Sequence, residues 1–217
     1  LDLQPVKAEI LAAKMIPNVD AGLAESLALK PHQRSIGILT TNIDDVGYTA
    51  LDAATKKADV EVVYGSSFYA GAAHASGPLS GEFIGILAGP TPAEVKSGME
   101  VFCYTAENEA WFYALDPEAK HTFYAHVISR TGSYLSEVAG IREGEPLAYL
   151  IAPPLEAVMG LDAALKAADV RLVKFYKPPS ETNFGGGLLT GSQSSCKSAT
   201  QAFMDTVIRI AENPKVY

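Results

Sequence analysis

Three carboxylates carry the chemistry that this 217-residue chain offers most openly. Asp44 and Asp45 adjoin at the end of one apolar run, and Glu82 opens another after a long loop of small residues. Acids placed this way can cap a helix, act as a general base, or pair with a small cation. The capping reading has Asp45 closing the N-terminus of a helix that begins near Val46. The chain contains no G-x-S-x-G, no P-loop, no H-E-x-x-H and no paired C-x-x-C, so the common hydrolase, nucleotide and zinc signatures are missing. His121 and His126 are five apart, which on a strand sets them on opposite faces. Phe184-Gly185-Gly186-Gly187 has the composition of a phosphate loop, but no helix is expected directly after it. No catalytic residue, metal ligand or cofactor is therefore expected. Cys103 and Cys196 cannot define a disulfide framework in a chain this size and read as reduced core thiols.

Two lysines repeat a second pattern. Lys56 and Lys166 each follow an aspartate, Asp52 and Asp162, by four residues. On a helix that spacing makes an ordinary solvated pair worth about 0.3 kcal/mol. Residues 65–81 and 176–186 form long loops rich in Gly, Ser, Ala and Pro, and connections of that length tend to be functional. They carry His74, Glu181, Thr182 and Asn183. A histidine there can change charge near neutral pH.

An internal repeat sets the elements that must position these residues. Residues 51–63, LDAATKKADVEVV, match residues 161–173, LDAALKAADVRLV, at nine of thirteen positions. Leu51, Ala54, Thr55 and Ala58 fall at i, i+3, i+4 and i+7, as do Leu161, Ala164, Leu165 and Ala168. That is a narrow, alanine-rich helix stripe, suited to lying close on whatever it covers. Val60 and Val62, then Val170 and Leu172, alternate with polar residues as strands do. Strands are also expected at Val6 to Ile16, Ser35 to Thr41, Phe123 to Ser129 and Leu147 to Ala152. Short helices are expected at Ala21 to Leu27 and Ser133 to Val138. Each half reads β-α-β-α-β-loop-β-α, an α/β (α+β) class with helices packed on one face of a sheet. The boundary falls near Asn108 to Pro117, giving domains at 1–110 and 111–217. With 48% apolar and 19% charged residues the chain can fill packed cores,. A net charge of −8 argues against nucleic acid,. Neither a signal peptide nor a membrane span is expected.

The string Asp52-Ala53-Ala54-Thr55-Lys56 and its copy at Asp162 to Lys166 resemble the D-A-x-x-K helix of bacterial microcompartment shell domains. The strings SRTGSYL (Ser129 to Leu135), APPLEA (Ala152 to Ala157), SETNF (Ser180 to Phe184) and LLTGSQSSCK (Leu188 to Lys197) resemble the L-type shell proteins of ethanolamine-utilisation microcompartments. The resemblance covers nearly the whole chain. It implies two tandem, circularly permuted shell domains, each a ferredoxin-like sheet with helices on it. It also implies a homotrimeric, pseudohexameric tile that contacts other shell proteins through its edges, in a shell within the cytoplasm. Lys56 and Lys166 match the tile-edge lysine. Phe68, Tyr69, His74, Glu181, Thr182, Asn183 and Phe184 fall in the loops that match those lining a gated central pore. Asp44, Asp45, Glu82 and Phe112 match a small pore that binds ethanolamine. An ammonium suits carboxylates and an aromatic face. Trp111, where the family residue is usually smaller, is expected to crowd Phe112. The alternative functions are a duplicated amine sensor outside any shell, and an enzyme using one of the three acids as a base.

Overall fold

The computed structural model describes residues 2–69 and 77–217. In chain order the elements are β1 (Gln4–Lys7), β2 (Ile10–Ile16), α1 (Ala21–Ser26), β3 (Ser35–Thr41), α2 (Asp44–Lys57), β4 (Glu61–Ser67), β5 (Phe83–Gly89) and α3 (Pro92–Asn108). They continue as β6 (Trp111–Ala114), β7 (Thr122–Ile128), α4 (Ser133–Ala139), β8 (Leu147–Ala152), α5 (Pro154–Ala167), β9 (Val170–Tyr176), β10 (Gly185–Gly191) and α6 (Gln193–Glu212). The chain divides into two compact bodies. One holds Lys7–Ala110 with Gly132–Leu135, and the other holds Leu1–Val6, Trp111–Thr131 and Ser136–Tyr217.

The first body is built on a four-stranded sheet, β2-β3-β5-β4. β3 pairs antiparallel with β5 from Ser35 opposite Gly89 to Thr41 opposite Phe83. α2 and α3 pack on it, burying Leu39, Leu51, Leu87, Phe83 and Phe102. α2 buries Val46, Gly47, Thr49, Ala50, Leu51, Ala53 and Ala54, a broader face than the narrow stripe expected, while Thr55 and Ala58 of that stripe are only partly buried; the small side chains let the helix lie close. The second body has a six-stranded sheet, β1-β6-β7-β8-β10-β9. Its core joins Phe123, Leu150, Ala157, Leu161, Ala164, Leu189 and Phe203. Local signals start the helices. Asp20 caps α1, Thr91 with Pro92 opens α3, and Ser192 caps α6,.

Two local expectations differ from the structure. Val6 to Ile16 is two strands in two sheets. At the break, the Glu9 N–H donates to the Asn42 Oδ1 at 2.7 Å instead of joining a ladder. The 111–114 stretch, read from sequence as a boundary, forms β6. Trp111 does not crowd Phe112 there, because neighbours on a strand point to opposite faces. Trp111 meets Tyr113, while the buried Phe112 stacks on Tyr124 at 5.1 Å.

Candidate functional site

α2 starts earlier than its sequence suggests. Ile43 is the N-cap, and Asp44 and Asp45 both lie in the first turn. Asp45 is therefore no cap. Its own N–H donates to the Asp44 Oδ1 at 2.8 Å, and the Thr49 hydroxyl donates to its backbone carbonyl at 3.1 Å. Both acids are buried, at the positive end of the helix, where each gains about 0.3–1 kcal/mol. Glu82 arrives from the other side of the long loop. Its N–H donates to the Thr41 carbonyl at 2.9 Å, and its carbonyl accepts the Phe68 N–H at 3.1 Å. The turn into it needs Gly81, whose φ is +63° and whose Cβ would lie 2.1 Å from the Thr41 oxygen,. Burial first, then the charge of Asp44, pushes the Glu82 carboxyl above the usual carboxylate range,. The structure thus brings Glu82 within electrostatic reach of Asp44 at the root of the loop, with Asp45 beside Asp44 in the first turn of α2. Among the described residues no three His, Cys, Asp or Glu converge as a metal site would.

Phe112 belongs to the other body. Beside Tyr124, it meets the edge of Phe184 at 6.0 Å, a pairing the sequence did not suggest. In the 177–184 turn Thr182 is buried, Glu181 and Asn183 are exposed, and Asn183 is left-handed at φ 68°. The turn closes on itself through the Ser180 N–H to the Phe184 carbonyl at 2.7 Å. In the first loop Tyr69 is exposed and Phe68 carries the bond to Glu82. His74 lies outside the described residues. The Tyr48 and Ser67 hydroxyls bond at 2.7 Å, tying α2 to the end of β4 where that loop begins.

The two lysines are not equivalent. Lys166 reaches Asp162 at 2.6 Å with both groups exposed, the solvated pair its spacing predicts. Lys56 stands 3.9 Å from Asp52, and Asp52 is buried. The Asp52 carboxylate accepts the Gly132 N–H at 2.8 Å and the Leu135 N–H at 2.9 Å. The solvated-pair reading fails for this copy because the aspartate is engaged as an N-terminal acceptor for α4. Burial pushes its carboxyl up, partly offset by those N–H groups and by Lys56. Sequence reasoning missed this role, although Gly132 at the cap position of α4 signals a helix start that needs an acceptor from elsewhere. Burial also pushes both cysteine thiols up, which leaves them poor nucleophiles at neutral pH.

Comparison with known proteins follows the same lines. A BMC domain model matches residues 35–114. The bacterial microcompartment shell protein EutL of Clostridium perfringens is 54% identical over 209 residues, 96% of each chain. That of Salmonella typhimurium is 52% identical over 214 residues, 99% of this chain and 97% of its own. The crystal structure of the ethanolamine utilization protein EutL from Leptotrichia buccalis superposes with a TM-score of 0.96 at 61% identity, covering all of both chains.

Proposed function

This chain belongs to the bacterial microcompartment shell proteins, among their EutL members, and from that premise we propose that it is a trimeric tile of an ethanolamine-utilisation microcompartment. As a shell protein it is structural rather than catalytic. We read residues 1–110 and 111–217 as its two shell domains, three chains giving a six-fold-like ring. The observation that carries the tile reading is likeness over the full length combined with the internal repeat. Loop residues Phe68, Tyr69, His74 and Glu181 to Phe184 are proposed to line a central pore, and Lys56 and Lys166 to face tile edges. Light scattering tests the tile first: the expected mass is three times 23.0 kDa. Lys166→Asp alters only an exposed pair, so the trimer should persist, while concentrated protein should lose its flat hexagonal sheets under electron microscopy. Sheets that survive would remove Lys166 from the edge. A small oligomer that never forms sheets would favour the amine-sensor reading.

The acid cluster supports ethanolamine as the ligand of the tile. Glu82 sits half-buried beside Asp44, its ionisation opposed by that neighbour. An ammonium bound there relieves the repulsion. A ligand of four heavy atoms gains at most about 1.5 kcal/mol for each, so the dissociation constant is no tighter than tens of micromolar. Calorimetry should show binding that strengthens as pH rises through the raised Glu82 value, because the cation selects the ionised form. Glu82→Gln should weaken binding about tenfold or more and flatten that pH dependence. Equal binding in wild type and variant would remove Glu82 from the site.

A further inference from the structure

Both arms of the acid pair meet at Thr41, the last residue of β3. Its side chain is fully buried. Its hydroxyl donates to the Ile43 carbonyl at 2.7 Å, one peptide before Asp44. Its carbonyl accepts the Glu82 N–H at 2.9 Å. The strand holds Thr41 from both sides, opposite Ile10 of β2 and Phe83 of β5. The hydroxyl thus sets where α2 leaves the sheet, and the carbonyl sets where Glu82 enters it. The second repeat builds the same corner. Ala152 ends β8 opposite Gly185 as Thr41 ends β3 opposite Phe83. α5 begins at Pro154 as α2 begins at Asp44, and neither N-cap, Pro153 or Ile43, makes a side-chain cap bond. Ala152 has no hydroxyl, yet strand, turn and helix form. The acids are missing with it. Pro154 and Leu155 stand where the first copy has Asp44 and Asp45, and Phe184 stands where it has Glu82. Two prolines stiffen that turn. The first copy cannot use this device, because a proline in place of Asp44 carries no carboxylate. Its turn is also one residue longer, with Asn42 and Ile43 between strand and helix, and the Thr41 hydroxyl bond takes up that freedom.

We propose that Thr41 is a positioning residue for the ammonium site: its hydroxyl fixes the approach of Asp44 to Glu82, so that one small cation meets both carboxylates. This role rests on the reading of those acids as the ethanolamine site. Thr41 acts through the Ile43 peptide and touches no ligand itself. Without the bond, the Ile43 carbonyl turns away to find another donor, and Asp44 moves off with it. An ammonium–carboxylate pair loosened from about 4 Å to about 5 Å loses about fourfold in affinity. The same retreat is visible without ligand. Asp44 opposes the ionisation of Glu82, so its departure lets Glu82 ionise at lower pH.

Two measurements on the full chain test the role: carboxyl-carbon NMR of Glu82 across pH without ligand, and calorimetry with ethanolamine. Thr41→Val keeps the shape of the side chain and removes the donor. It should move the Glu82 midpoint down toward the ordinary carboxylate range and weaken ethanolamine binding about fourfold. The rise of binding with pH should move down with the midpoint. Thr41→Ser restores the hydroxyl and should restore all three. Thr41→Ala, the residue of the second corner, serves if valine prevents folding. Ser35→Ala is the control, since the buried Ser35 hydroxyl at the far end of β3 donates to the Pro17 carbonyl at 2.6 Å. It loses the same kind of bond and should leave the Glu82 midpoint where it was. An unmoved midpoint in both Thr41→Val and Thr41→Ala overturns the positioning role, whether or not ethanolamine binds. A shift that Ser35→Ala reproduces overturns it too, as general loosening. A midpoint that moves as stated in a chain that binds no ethanolamine upholds the placing of the acids by Thr41 and overturns the ligand reading.

Discussion

Asp52→Ala is expected to cost about 2–5 kcal/mol of folding stability, while Asp162→Ala, at the matching position of the repeat, stays within about 0.5 kcal/mol. The difference follows from what each carboxylate touches. Asp162 is exposed and pairs with the exposed Lys166, and such pairs contribute little. Asp52 holds the N–H groups of Gly132 and Leu135 in a buried position. Removing it leaves two buried donors unsatisfied at about 1–3 kcal/mol each. Asp52→Asn should fall between, because an amide nitrogen has no lone pair to offer one of the donors. Denaturant melts of the three variants decide this, and equal losses at the two positions would refute it. pH adds a check. The folded pKa of Asp52 is raised above its ordinary 3.8. Its protonation therefore adds stability that is complete below that ordinary value and lost as pH rises through the folded one. The margin of wild type over Asp52→Asn should shrink across that window.

Gly186→Ala is the second large effect, expected to lower stability by about 3 kcal/mol or more. Gly186 lies on β10 between Ile151 of β8 and Tyr176 of β9. A Cβ there would sit 1.9 Å from the Leu150 carbonyl and 2.9 Å from the Ile151 Cα. Both obstacles are backbone, so no rotamer change relieves them and the strands must part. The second strand also anchors the 177–184 turn, so the proposed pore residues Glu181 to Phe184 lose their footing with it. For a chain of this length the midpoint of thermal unfolding should fall by about 6–12 °C. Gly77→Ala meets nothing within 4 Å and should melt with the wild type. A Gly186→Ala chain that melts normally would show that β8 and β10 tolerate a wider gap than this register allows.

Much of the fold is legible in the residues because it depends on short-range patterns. The 3.6-residue alanine stripe announces α2 and α5, and alternation announces β4 and β9. Asp20 and Thr91 mark helix starts through hydrogen bonds confined to their own turns. β6 escaped because four residues of Trp111-Phe112-Tyr113-Ala114 beside a run of Ala-Glu-Asn read equally well as a linker. The break in the first strand escaped because its cause, Asn42, lies 33 residues away.

The sequence by itself determined the duplication, the α/β order within each half and the loops between paired strands, since each follows from periodicity or repetition along the chain. It also carried the shell-family resemblance. Only the tertiary structure decided what each copy of the repeat does with the same residues. LDAATK and LDAALK look interchangeable in sequence. Yet Asp52 is buried as an acceptor for two distant N–H groups, and Asp162 is a solvated partner of Lys166. The same holds for the acids. Asp44 and Glu82 stand 38 positions apart, and their mutual repulsion exists only once β3, α2 and β5 bring them to one end of a sheet. Burial and long-range hydrogen bonding depend on neighbours the chain supplies from far away. No local pattern encodes which of two like residues will receive them.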